Sequence, residues 1–176
     1  MALKPTIYKL KIALSDLDRN IYEALNLTIA QHPSETLERM MVRVLAYCIN
    51  WQEGINFTKG LSEPDEPDIC AYTLDDRLLL WLDVGEPAAD RIKKATHAAD
   101  EVKVYSFNEK SNVWWSQSSK KFKALNAQFF QVSFESAQQF ALLADRTMDF
   151  SMSLSEGSAY ISTEKGECEM TWHRLH

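Results

Sequence analysis

Glycine is scarce in this chain, with five in 176 residues. No GxGxxG run and no P-loop pattern occurs, so the backbone cradles that wrap a nucleotide phosphate are excluded. No GxSxG turn is present to expose a nucleophilic serine. Cysteine is as sparse. Cys48, Cys70 and Cys168 are odd in number, far apart and form no CxxC pair. They predict free thiols in a reducing cytoplasm rather than a disulfide framework or a thiolate zinc site. Cys48 and Cys70 read as small buried hydrophobes. The four histidines include no HExxH pair, and His97 reads as solvent-facing. No apolar run approaches the about 20 residues of a membrane span. The opening Met1-Ala2-Leu3-Lys4-Pro5 lacks the apolar stretch of a secretory signal. A cytoplasmic protein with no membrane partner is the expectation.

What is present is an ordinary apolar complement, 45% of residues. It suffices for one core, and residues 1–176 read as a single domain. The net charge of −6 argues against a generic nucleic-acid binder. The distribution is uneven. Between Arg91 and Lys123 stand eight basic residues against Asp100, Glu101 and Glu109, so this segment carries +5 and the remainder −11. Two readings stay open there: a local contact with nucleic-acid phosphate, and a solvated charged face.

Hydrophobic periodicity lays out the elements. Residues 6–14 and 20–30 alternate polar and apolar, and the polar link at 15–19 makes them an antiparallel pair. Ser34 is placed to cap a helix reaching about Trp51, whose stripe Leu37, Met40, Met41, Val44, Leu45 and Cys48 faces a core. Residues 54–68 carry helix and strand breakers and read as loop. Strands follow at 69–72 and 78–84. A helix at 88–99 then crosses over to a parallel strand at 102–107. Helices at 111–121 and 136–144 flank a strand near 129–132. The segments 147–154, 158–162 and 168–172, with glycine at the turns, form an antiparallel meander. The class is α+β with a mixed sheet flanked by helices.

The acids carry the chemistry. Pro67-Asp68 and Asp83 flank a segment that one β-hairpin closes. Two strand-borne carboxylates brought together can hold Mg²⁺ or Mn²⁺, which prefer oxygen ligands, and such an ion can activate water against a phosphodiester. Asp83 ends an almost wholly apolar strand, on the face of Leu79 and Trp81. A charge there needs a partner or a metal.

The order helix, hairpin, helix, strand with acids at these places resembles the PD-(D/E)xK nuclease-like superfamily. More narrowly, nearly the whole chain resembles the YaeQ family. The matching runs are Met1–Lys9, His32–Met41, Phe57–Leu61, Trp81–Gly85, Arg91–Ala95, Trp114-Trp115 and Ala144–Met148. The resemblance implies a variant restriction-endonuclease-like core over about residues 34–133. To this the N-terminal strand pair and the C-terminal meander are added. It also implies a metal-dependent phosphodiester hydrolase in which Glu38, Asp68 and Asp83 hold Mg or Mn.

One departure is plain. The motif lysine, two residues after the strand acid, is replaced by Gly85. Lys93 and Lys94 on the following helix are the implied substitutes for its catalytic role. Each residue also has a structural reading. Glu38 complements the positive end of its helix, and Asp68 can cap a turn. Trp114-Trp115 beside Lys120, Lys121 and Lys123 offers base stacking, or an anchor for its helix, since neighbours on a helix diverge by about 100°. The alternative to catalysis is a non-catalytic protein on the same scaffold. It would bind a protein through its acidic surface or a sheet edge, or nucleic acid through Arg91–Lys123.

Overall fold

In the computed structural model, which describes residues 3–176, the first pair of strands is β1 (Thr6–Asp16) and β2 (Ile21–Gln31). They pair antiparallel in unbroken register from Thr6 with Gln31 to Asp16 with Ile21. Helix α1 (Leu37–Ile49) follows. Its cap is Thr36, whose side chain accepts the Arg39 N–H, and not Ser34, which is engaged with the His32 ring at 2.7 Å. The segment read as loop contains a short strand β3 (Ile55–Phe57), too brief for alternation to declare itself.

Strands β4 (Ile69–Tyr72) and β5 (Leu78–Val84) form the expected hairpin. Helix α2 (Ala89–Ala98) crosses over to β6 (Glu101–Ser106), and α3 (Ser111–Lys123) to β7 (Gln128–Val132); both connections join parallel strands. Helix α4 (Phe134–Leu142) precedes β8 (Thr147–Ser155), β9 (Ser158–Thr163) and β10 (Gly166–Arg174). The β8–β9 turn places Glu156 and Gly157 at φ 48° and 78°, the left-handed pair that a two-residue hairpin demands.

All ten strands form one mixed sheet in the order β2-β1-β8-β9-β10-β7-β6-β5-β4-β3. The N-terminal pair and the meander are not appendages. Strand β1 pairs parallel with β8, and β10 pairs with β7, so both are continuous with the central strands. A smaller core lies under α2 and α3, built from Trp81, Ile92, Val102, Val104, Phe122 and Phe129. The larger core gathers β1, β2, β5 and β8 around α1 and α4.

Helix α1 departs from the amphipathic expectation. Its nine consecutive residues Met40–Cys48 are all buried, Arg43 among them. A helix enclosed on every side must be apolar or internally neutralised all round. Here strands from both ends of the sheet order reach it: Arg43 donates to Ala30 O of β2, and Arg39 binds Asp68 at the start of β4. Leu45 is wholly buried at its centre. We expect Leu45→Ala to cost about 2–5 kcal/mol, read as a lower urea midpoint with an unchanged slope.

Candidate functional site

The parallel strands β5 and β6 end side by side, and the chain turns into α2 and α3 just beyond them. A cleft of about 500 Å³ opens there, lined among others by Arg39, Asp68, Asp83, Gly85, Arg91 and Asn108. Ligands of open α/β sheets bind at such carboxyl ends.

The two predicted acids do meet here. Asp68 stands one step beyond the Ile69–Leu82 pair, its N–H bonded to Leu82 O at 3.0 Å. Its carboxylate extends the ladder by accepting the Val84 N–H at 2.8 Å. Asp83 is 2% exposed. Each carboxylate is already held by an arginine, from opposite faces of the sheet. Arg39 of α1 reaches both oxygens of Asp68 at 2.8 Å and also donates to Val84 O at 3.0 Å. Arg91 of α2 grips Asp83 with two nitrogens, at 2.8 and 3.1 Å. Its remaining donors tie the loop ahead of β4 through Pro64 O and Glu66 O, and its guanidinium lies over the Trp81 ring at 5.5 Å. The Trp81 indole N–H is buried without a hydrogen-bond partner.

These pairs set the protonation equilibria. Burial pushes the Asp83 carboxyl above the usual range; Arg91 opposes this, and the neighbouring Asp68 charge reinforces it. Burial alone would lower the Arg91 pKa, but Asp83, Asp68 and Asp65 outweigh it and the guanidinium is held above its ordinary value. Arg39 is raised in the same way, burial being outweighed by Asp68 and Glu35.

Glu38 is not brought to this cluster. It is half-exposed in the first turn of α1, about 100° around the helix from Arg39, where a carboxylate suits the positive helix end. Arg39 takes the inward position. Lys93 and Lys94 are exposed on α2 and do not line the cleft. Side chains on a helix lean toward its N-terminus, so the first-turn Arg91 curls back over the strand end while residues further along point away. At the motif position, Gly85 has φ 122°, a backbone few side chains adopt. Lysine is therefore disfavoured there by conformation, although open space lies beyond.

Three residues escaped the sequence reading. Glu35 accepts from Arg39 and Arg43; the signal was the Glu35, Arg39, Arg43 spacing of four. Glu86 at the cleft rim is consumed by Phe107 N–H, Asn108 N–H and the Ser111 hydroxyl. Asn108 completes that staple through its side-chain amide.

The Mg²⁺ or Mn²⁺ that the resemblance implies does not fit this donor set as arranged. The faces of both carboxylates that an ion would use carry guanidinium, and Glu86 and Glu35 are spent on donors. Among the described residues no cluster of three or more His, Cys, Asp or Glu is placed to hold a metal. The tryptophans offer no open platform. Trp114 and Trp115 both pack on Phe122, with ring centres 4.9 and 5.8 Å away, and Trp114 Nε1 donates to Pro87 O. The cysteines are free and buried, the Cys48 thiol pushed up to about 12 by burial.

Fold and cleft together define an α+β protein with one mixed sheet and an arginine–carboxylate cluster at its central strand ends. The chain belongs to the YaeQ family: the family described as YaeQ protein matches residues 1–172. It is 39% identical over 174 residues to YaeQ of Escherichia coli (strain K12), covering 97% of this chain and 95% of that one. The Salmonella typhi protein is 38% identical over the same length and coverage. Two crystal structures share the fold. That of YaeQ from Pseudomonas syringae superposes with TM-score 0.92 at 35% identity, covering 98% of this chain and 96% of that one. That from Xanthomonas axonopodis pv. citri gives 0.93 at 29%, covering 98% of each.

Removing the guanidinium takes away the chief influence that lowers Asp83 and leaves burial and the Asp68 charge to raise it. The Asp83 carboxyl resonance in Arg91→Gln should titrate at higher pH than in the native chain, which itself should titrate above 3.8. A midpoint unmoved by the substitution would show that the pair is not formed in solution. Because the folded pKa is raised, Asp83 favours folding below its unfolded pKa, and that contribution is lost as pH rises through the folded value.

Proposed function

We propose that this chain is a non-catalytic variant of the PD-(D/E)xK nuclease-like core that binds the nucleic-acid backbone without cleaving it. The observation that carries the reading is the two-nitrogen grip of Arg91 on Asp83. A guanidinium stands where the superfamily places a metal, and it supplies a fixed positive charge with no activated water. Gly85 in place of lysine supports the same reading.

The binding surface follows from α2 and α3, which pack together on one side of the sheet and begin at the cleft. Six lysines are exposed on or next to them: Lys93, Lys94, Lys110, Lys120, Lys121 and Lys123. The other two basic residues of the segment are committed elsewhere, Arg91 to Asp83 and Lys103 to Asn50. Phosphate contact from such lysines is sequence-independent and falls with salt.

A fluorescence titration of the native chain with a single-stranded oligonucleotide should give affinity that declines linearly in log salt. Replacing Lys120, Lys121 and Lys123 with Glu should reduce that slope by about two, at roughly 0.7 per phosphate contact. Binding indifferent to salt, or no binding, would reject the proposal.

The metal-dependent hydrolase remains the second reading, favoured by the meeting of Asp68 and Asp83 in one cleft. It requires saturable Mn²⁺ binding that Asp83→Ala abolishes and Arg91→Ala strengthens. The non-catalytic reading expects no Mn²⁺ heat from the native chain and no cleavage of the oligonucleotide with Mn²⁺ present.

A further inference from the structure

We infer that β2 is a self-pairing edge through which two copies of this chain join their sheets. The pairing of β1 on its two sides determines which backbone groups of β2 are free. The Lys9 N–H bonds to Arg146 O and the Leu17 N–H to Leu154 O. The odd-numbered residues of β1 therefore turn their N–H and C=O groups toward β8. The even-numbered ones face β2, where their register partners are odd: Leu10 with Leu27, Ile12 with Leu25, Leu14 with Glu23. The even-numbered residues of β2 are left pointing off the sheet. Ala30 fits this parity, its C=O being taken from outside the sheet by Arg43 at 2.9 Å. Among the described residues nothing takes up the backbone groups of Tyr22, Ala24, Asn26 and Thr28, and all four are exposed.

Edge strands are ordinarily blunted by proline, lysine, a bulge or brevity. The opposite edge, β3, is three residues long. Strand β2 runs for eleven residues without proline, lysine, glycine or a register shift, and Glu23 is its one charged side chain. Its free groups complement themselves. With a two-fold axis at Leu25, Tyr22 faces Thr28 of the second copy and Ala24 faces Asn26 of the second copy. Every free N–H then meets a free C=O. A shift either way leaves one of the four unmatched or draws in Ala30, whose C=O is already occupied.

The same register keeps each face in step. Leu25 meets Leu25 of the second copy on the core side, where Leu27 is half-buried. The two glutamates at 23 oppose leucine rather than each other and stand roughly 14 Å apart. The contact is isologous and closes at two copies.

Sedimentation velocity over a range of concentrations tests this. The native chain should sediment as a dimer that dissociates on dilution. In Tyr22→Lys/Thr28→Lys the two new charges lie far apart within one copy but face each other across the pair. Dissociation should become at least about tenfold easier. Tyr22→Lys/Thr28→Glu should restore the dimer, which loss of the tyrosine alone would not explain. Asn26→Pro provides an independent variant: its N–H points off the sheet, so the single copy tolerates proline, and the dimer should be lost. A native chain monomeric at every concentration, or a dimer indifferent to these substitutions, overturns the inference.

Discussion

A single buried carboxylate, Glu35, makes the enclosure of α1 possible. Its side chain is 1% exposed, and it binds Arg43 through both oxygens, at 2.6 and 2.8 Å, and Arg39 at 2.5 Å. Without it the Arg43 guanidinium would enter the interior with no carboxylate partner and Arg39 would keep only Asp68, and breaking a buried pair in this way costs about 3–5 kcal/mol. With it, the helix can be wrapped by strands from both ends of the sheet order. The far end of α1 is matched in kind. Arg19, from the β1–β2 turn, donates to the carbonyls of Trp51 and Cys48. Lys103 reaches Asn50, which in turn binds Ala46 O and the Tyr105 hydroxyl. Acid at the positive end and base at the negative end is the arrangement a helix dipole favours, supplied here by tertiary neighbours.

That same network fixes the candidate site. Arg39 is held by Glu35 on one side and extends to Asp68 on the other, so the acid at the cleft is positioned through α1. Arg91 does the equivalent work from α2, locking Asp83 and the loop ahead of β4 together. The cleft is therefore a place where acids and bases are already balanced. Charge balance of this kind suits recognition and rigidity, whereas metal hydrolysis needs carboxylates free to bind an ion.

Much of the fold was legible in sequence because the strands are long and alternate cleanly. Strand β1 and the β8–β9 hairpin show it best, with their Glu156-Gly157 turn. The β5–α2–β6 crossover was equally readable from an apolar strand followed by Gly85 and a small-residue helix. Strand β3, read as loop, and the true cap of α1 were not, because three residues carry no period and two hydroxyl residues, Ser34 and Thr36, compete for one cap. At the site, Asp68 and Asp83 were found through hairpin length. Glu38 was carried over from a resemblance and stands on the wrong side of its helix. Arg91 lies two and three residues ahead of the lysines expected to do its work.

The sequence by itself determined the α+β class, the antiparallel ends, the first parallel crossover and the meeting of two acids, because each follows from local period or from chain length. Only the tertiary structure decided that α1 is enclosed, that the terminal strands continue one sheet, and that arginines occupy both acids. Those outcomes depend on residues 29, 139 and 8 positions apart in the chain, such as Arg39 with Asp68, Ile7 with Arg146 and Asp83 with Arg91. Which of several nearby charges fills an inward position is settled by packing, and no local pattern records it.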